Sequence, residues 1–368
     1  MRLATLTYEA KLYLPSDRYS EYIIGFQGFN QNNINLNNRE TKVLPDATTN
    51  NYSVFGLLQH TFFRKLKLQT GIRYDRKSIS TLSIGIPMDS MTYRPSIDKY
   101  YGSFSGSFGA TYNLTEELLF RANLAAGYRT PNLAELTSKG QHELRFEIGD
   151  PGLVPENSFE SDLSFHYHRN NITFDLAGFY NMINHYIFIT PTGDVTLSGI
   201  PVFMYKQANS ILYGGETGFH IHPERVSWLH FETTLSSVIG TQENGDFLPF
   251  IPAHKLQYEL RAEKDKFLFL HTTFISLHIL TAFNQNRPSP DETKTPGYSL
   301  LDIGTGGNIK IRKQMISLSI QLNNLLDKKY IDHLSTLKEV NSFNPGRNIS
   351  FNLSYWYLTQ KASNAGKS

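Results

Sequence analysis

Leu256-Gln257-Tyr258-Glu259-Leu260-Arg261-Ala262-Glu263 changes character at every residue. Leu256, Tyr258, Leu260 and Ala262 fall on one side of a period of two, and Gln257, Glu259, Arg261 and Glu263 on the other. Successive side chains of a strand point to opposite faces, whereas a helix gathers its apolar residues every three or four positions. The octapeptide therefore reads as a strand with one apolar and one polar face. The same alternation recurs at 316–323, where Ile316, Leu318, Ile320 and Leu322 oppose Ser317, Ser319, Gln321 and Asn323. It recurs at 349–355, with Ile349, Phe351, Leu353 and Tyr355 opposing Ser350, Asn352 and Ser354. In 158–168 the polar side carries Glu160, Asp162, Ser164, His166 and His168. Segments 66–75 and 118–129 behave alike, and no stretch shows a capped helical period. The expected class is all-β.

About fifteen strands are expected, near 3–13, 20–30, 51–63, 65–78, 98–113, 117–129, 158–169, 171–189, 201–222, 228–240, 253–263, 266–283, 297–311, 314–326 and 346–358. Many exceed the ~5–6 residues usual in soluble sheets and approach the ~9–11 that a tilted strand needs to cross a bilayer. The connections alternate in length. Short turns are expected at Pro15–Tyr19, Arg64, Asn113–Glu116, Asn170, Pro223–Ser227, Lys264–Asp265 and Arg312–Lys313. Long loops are expected at 31–50, 79–97, 130–157, 190–200, 241–252, 284–296 and 327–345. Short connections on one rim and long ones on the other are the arrangement of outer-membrane barrels. A soluble sandwich has no reason to sort its loops by parity.

Composition agrees. Charged residues make up 18% of the 368, aromatic residues 13%, and there is no cysteine, which excludes disulfides and thiolate metal sites. A net charge of +2 implies no nucleic-acid partner. Phe267 to Asn284 has no Asp, Glu, Lys or Arg, yet His271, Thr272, Thr273, Ser276 and His278 make it a strand rather than a spanning helix. The start of the chain lacks the pattern of a secretory signal. The apolar face would meet lipid, with Tyr74, Tyr112, Tyr128, Tyr355 and Tyr357 as interfacial girdles or simply as good strand formers.

The polar face would line a wide, wet lumen through Glu160, Asp162, His166, His168, Glu259, Arg261 and Glu263. His166 and His168 share a strand face, but a metal site there would need a third ligand that the sequence does not identify, so none is assigned. No cofactor is expected, and no nucleophile–base motif points to an enzyme. Among the loops, His142, Glu143 and Arg145 in 130–157, and Asp332 with His333 in 327–345, are candidate ligand-binding residues. The bland alternative for each is a solvated surface loop.

Four motifs resemble those of TonB-dependent outer-membrane receptors. The first is Ala126-Gly127-Tyr128-Arg129-Thr130-Pro131-Asn132-Leu133-Ala134-Glu135-Leu136. The second is Phe146-Glu147-Ile148-Gly149-Asp150-Pro151-Gly152-Leu153-Val154-Pro155-Glu156. The third is Asn323-Asn324-Leu325-Leu326-Asp327-Lys328-Lys329-Tyr330, and the fourth Pro345-Gly346-Arg347-Asn348-Ile349-Ser350-Phe351. They stand in the family's order, and the resemblance covers roughly residues 50 to 358. The resemblance implies a transmembrane antiparallel barrel of 22 strands around a plug, of which about fifteen would be present here. Residues 1–358 are then expected to be the C-terminal part of such a barrel and 359–368 a polar tail. Against the family pattern, a signal peptide, an energy-coupling box, the plug and the first third of the barrel are expected to be missing from this sequence.

What the resemblance implies in function is uptake without covalent chemistry. The location would be the outer membrane of a Gram-negative bacterium. Partners would be outer-membrane lipid, the TonB energy-coupling complex acting through the absent N-terminal plug, and a small nutrient ligand of iron–siderophore, haem, metal or cobalamin type. The loop after Gly127 with His142, together with Asp332-His333-Leu334-Ser335, is similar to the branch that takes up haem or zinc. A passive porin is the alternative, and an outer-membrane barrel enzyme a second one.

Overall fold

The computed structural model describes residues 1–36, 42–85, 87–88, 93–311 and 314–356. The expected turn at Arg312–Lys313, Tyr357 and the polar tail 359–368 lie outside the described residues.

Nearly every regular element among the described residues is a strand. β1 (Arg2–Tyr13), β2 (Ser20–Ile34), β3 (Ala47–Phe62), β4 (Leu66–Thr81), β5 (Asp98–Asn113) and β6 (Leu118–Arg129) come first. A one-turn helix α1 (Leu133–Thr137) and two short strands, β7 (Lys139–His142) and β8 (Arg145–Ile148), follow. Then come β9 (Glu156–Arg169), β10 (Ile172–Val195), β11 (Pro201–Ile221), β12 (Leu229–Gln242) and β13 (Lys255–Phe267). β14 (Leu270–Ala282), β15 (Tyr298–Ile311), β16 (Gln314–Asn323) and β17 (Asn348–Trp356) complete the sheet. No helix among the described residues is long and apolar enough to cross a membrane.

Apart from the β7–β8 excursion, each long strand pairs antiparallel with the next. The fifteen strands expected from the alternation are these long ones, and the two additional strands lie inside the longest loop. Their four-residue length gives period two no room to register. One turn moves: the expected reversal at Lys264–Asp265 is instead at Leu268-Phe269, with Leu268 at φ 55°. The charged Lys264-Asp265-Lys266 run reads as a turn, but it continues β13. The extra length is absorbed by a bulge after His271, with Thr272 at φ 48°.

Loop parity holds along the meander, with one revealing case. Only residues 196–200 join β10 to β11, but these strands are 24 and 21 residues long and carry the connection well beyond their neighbours. The excursion is a raised hairpin rather than a coil.

Register gathers polar residues of neighbouring strands on one face. Ser53 pairs with Asp75, Asn123 with Asp162, Glu232 with Glu259, and Glu259 with His278. The other face leaves large apolar side chains in the open: Phe104 and Leu163 are each 69% exposed, and Ile72, Ile275 and Leu353 are exposed with them. Apolar cover on this scale needs an apolar surrounding. Tyr74, Tyr112, Tyr128 and Tyr355 fall on the same face. Among the described residues a conventional core lies at the long-loop rim, where Ile79, Leu136, Leu153 and Ile187 pack with Tyr101, Leu133 and Tyr205.

Candidate functional site

The site is built on the fastening of loop 130–157. Asn132 caps α1: its side chain accepts from the Glu135 N–H at 2.9 Å, and the Glu135 carboxylate accepts from the Asn132 N–H at 2.8 Å. Arg129, at the end of β6, donates to both Glu135 oxygens (2.8 and 3.0 Å) and to both Glu156 oxygens (2.8 and 2.5 Å). Glu156 also accepts from the Ile187 N–H at 2.7 Å, tying β9 to β10. Pro131 is fully buried beside this network. Gly149 runs so close to α1 that a Cβ there would sit 2.6–2.8 Å from backbone atoms of Thr137, Ser138 and Glu135, and Gly127 leaves room for the side-chain hydroxyl of Ser158. The loop from β16 to β17 is fastened alike. The buried Asn324 both donates to the Lys328 carbonyl (2.9 Å) and accepts from its N–H (2.8 Å), and Asp327 accepts from the Arg347 N–H at 2.9 Å. A Cβ at Gly346 would meet Asp327 at 2.7 Å, while Asn323 donates to Asn348 at 2.9 Å. The motif residues thus shape the rim.

These fastenings hold a cavity of about 320 Å³ open at the long-loop rim. On one side is the β7–β8 hairpin, reversed through Glu143 at φ 54° and laid parallel along β11. Arg145 sits 5.4 Å over the Phe203 ring and donates to Glu147 at 2.7 Å. On the other side His333 is buried, 2.8 Å from Thr295 Oγ1 and 3.7 Å from Glu292. Glu143, Arg145, Phe203, Phe250, Glu292 and His333 line the space. Three of the five loop residues singled out in the sequence therefore meet in one cavity although nearly 200 positions apart. His142 and Asp332 do not line it. His142 pairs with Glu147 at 3.1 Å with most of its side chain exposed, and Asp332 takes a 2.7 Å hydrogen bond from Tyr298 and a 3.2 Å ion pair from Lys255.

Electrostatics follow from the burial. Burial would raise the Glu147 carboxyl, but hydrogen bonds and charge from Arg145 and His142 outweigh it and leave the group below its ordinary range. Asp332 is lowered the same way: burial opposes, and Tyr298, the Leu334 N–H and Lys255 prevail. His333 is pushed down by burial and by the Lys338 charge, against Glu292 and Asp332. The cavity offers apolar walls with fixed charges of both signs.

On the polar face each singled-out residue has a partner or a charged neighbour. Glu160 accepts from Asn181 (2.6 Å), Asp162 from Asn123 (3.1 Å), and Arg261 pairs with Glu263 (2.6 Å). His166 and His168 each turn Nδ1 to a separate partner, Asp175 at 2.6 Å and Thr173 at 2.8 Å, and converge on no common point. The convergence that sequence reading missed is nearby: His220 and His222 on one strand face and beyond it, and His230 across the turn. Their ligand atoms all lie within 4.8 Å of one another. The signal was an H-x-H pair facing a histidine across an expected short turn.

Among solved structures the chain is similar to the copper transporter OprC (TM-score 0.79, 17% identity, 94% of this chain and 56% of that one). It is also similar to the FrpB iron transporter from Neisseria meningitidis (0.68, 16%, 95% and 54%). A third is the ferric yersiniabactin uptake receptor FyuA from Yersinia pestis (0.69, 14%, 96% and 54%). The chain thus spans about half the length of these proteins. The family described as TonB dependent receptor-like, beta-barrel, matches residues 4–325, and the chain belongs to that family.

Proposed function

We propose that this chain forms the strand wall and ligand-capturing rim of a receptor in the outer membrane of a Gram-negative bacterium, and that the receptor imports a scarce metal-bearing nutrient complex. The cargo is drawn through the lumen by energy delivered from a TonB-type complex. The observation that carries this reading is the rim cavity, in which Glu143, Arg145, Glu292 and His333 stand beside Phe203 and Phe250. Apolar walls with a few placed charges suit an organic complex. The copper, iron and ferric yersiniabactin cargoes named for the similar structures support the same class. The family is one of receptors rather than enzymes.

Haem or zinc as cargo rests on His142, the more accessible of the two loop histidines. The test is uptake by cells producing the protein, supplied in turn with labelled ferric siderophore, haem, copper and zinc at limiting concentration, with and without a proton uncoupler. Saturable uptake of one cargo that stops with the uncoupler is expected. Non-saturable, uncoupler-insensitive flux would replace the reading with a passive porin.

A further inference from the structure

β11 and β12 end in the short connection 222–228, and the polar face near that end carries three imidazoles. His220 and His222 are two residues apart and so share a face, and the ladder that pairs His220 with Glu232 and Ile221 with Phe231 brings His230 opposite His222. Same-face neighbours of this kind have Cβ atoms about 4.5–5.5 Å apart when directly opposed. The three rings form a triangle, with centroids 5.4, 5.5 and 5.4 Å apart. His220 Nε2 lies 3.3 Å from His230 Nδ1. That is the separation of two nitrogens on a tetrahedral ion with metal–nitrogen bonds of about 2.0–2.1 Å. A second observation is independent of the spacing: His222 Nδ1 is buried and has no hydrogen-bond partner.

We propose that His220, His222 and His230 bind one borderline transition-metal ion, of the Zn²⁺ or Cu²⁺ class, with the remaining coordination position facing the lumen. Three imidazole ligands select such ions over Mg²⁺ and Ca²⁺, which require oxygen. Glu232, the ladder partner of His220, adds a negative charge beside the site. Arg261, paired with His230, is turned away to Glu263 at 2.6 Å and to the Phe274 ring at 3.9 Å. The strands place this site at the opposite end from the long-loop cavity, so it does not depend on what that cavity captures.

The test uses the full chain, purified in detergent and titrated with Zn²⁺ alone and with Co²⁺ as a spectroscopic probe, in excess Mg²⁺. One ion per chain is expected, with a Co²⁺ visible spectrum of imidazole ligation. His222→Gln is expected to weaken Zn²⁺ at least tenfold, and the triple His→Gln variant to abolish the spectrum. His142→Ala and His166→Gln should leave both unchanged. If a variant fails to fold, the wild-type stoichiometry and spectrum still decide. Absence of Zn²⁺ binding in the wild type overturns the proposal, as does binding that survives the triple variant or disappears with His166→Gln. The trio would then be a hydrogen-bonded cluster of the strand ends.

Discussion

The Arg129 guanidinium grips Glu156 with two hydrogen bonds of 2.8 and 2.5 Å while its third nitrogen holds Glu135. Both carboxylates are buried, at 7% exposure each, so the arginine is what makes their charge tolerable there. Arg129→Ala should therefore loosen loop 130–157 by about 2–3 kcal/mol, the cost of leaving buried acceptors unpaired. The sheet itself should persist, because its ladders do not pass through Arg129's side chain. Limited proteolysis checks this: cleavage within 130–157 should accelerate while the heat-dependent gel mobility of the folded sheet is kept. A loop equally resistant in the variant would remove the clamp.

Gly149 offers a test of the same fastening by shape alone. A Cβ at this position meets three backbone atoms of α1 and its cap at 2.6–2.8 Å, and backbone cannot swing aside as a flexible side chain can. Gly149→Ala should cost about 1–3 kcal/mol, the range for overpacking, and should expose the same loop to protease. Gly193, in the raised β10–β11 hairpin, has open space around it but φ 83°, so Gly193→Ala is strained in its own backbone without disturbing α1, and loop 130–157 should stay protected.

The alternation made the fifteen long strands and both faces legible, because a period of two over ten or more residues is hard to produce in any other way. What it could not show was the interior of the long loops. β7, β8 and α1 are four or five residues each, and their order comes from tertiary contacts such as the Asn132–Glu135 cap and the parallel seat of β8 on β11. Similarly, nothing in Glu143, Arg145 or His333 taken singly says that they share a cavity, since that depends on how far apart loops are folded over one rim. The imidazole trio was within reach, because its members are set by strand register across a short turn. Lys264-Asp265 misled because charge reads as a turn signal, whereas this run lies at the exposed end of β13, where charge is tolerated inside a strand.

The depressed Glu147 carboxyl gives the β7–β8 hairpin a pH dependence. A carboxyl whose folded pKa lies below its unfolded value, about 4.3, contributes stability that is full above that value and is lost as pH falls through the lower folded one. Amide exchange in residues 139–148, corrected for its intrinsic pH dependence, should be flat from pH 7 to about 5 and should rise only below about 4. Arg145→Gln removes the main hydrogen bond opposing burial, so its onset should move to higher pH. An onset unchanged by this variant would mean that Arg145 does not hold Glu147 charged.

Arg145 also faces the cavity, and its role there separates capture from stability. Arg145→Glu reverses the charge beside Phe203 and Glu292, so saturable uptake at limiting cargo should fall at least tenfold, mainly through the concentration for half-saturation. His142→Ala tests the haem and zinc reading, and unchanged affinity for both would remove His142 from the site. In both variants the amount of heat-modifiable protein in the envelope should match the wild type.

The face assignment is tested by a matched pair on β16. Leu318 and Ser319 are neighbours in sequence but pair with Leu353 and Asn352, on opposite faces of the sheet. A charge on the apolar face must leave hydrocarbon unsolvated, at a cost that for Lys or Arg is about 2–4 kcal/mol at the bilayer midplane and for Asp is less. The same charge on the polar face stays in water. Leu318→Asp should therefore reduce the heat-modifiable fraction recovered in the membrane, and Ser319→Asp should not. Leu353→Asp, across the ladder, should repeat the first result. Equal assembly of Leu318→Asp and Ser319→Asp would mean that the two faces do not meet different solvents, and the barrel reading of this sheet would fall with it.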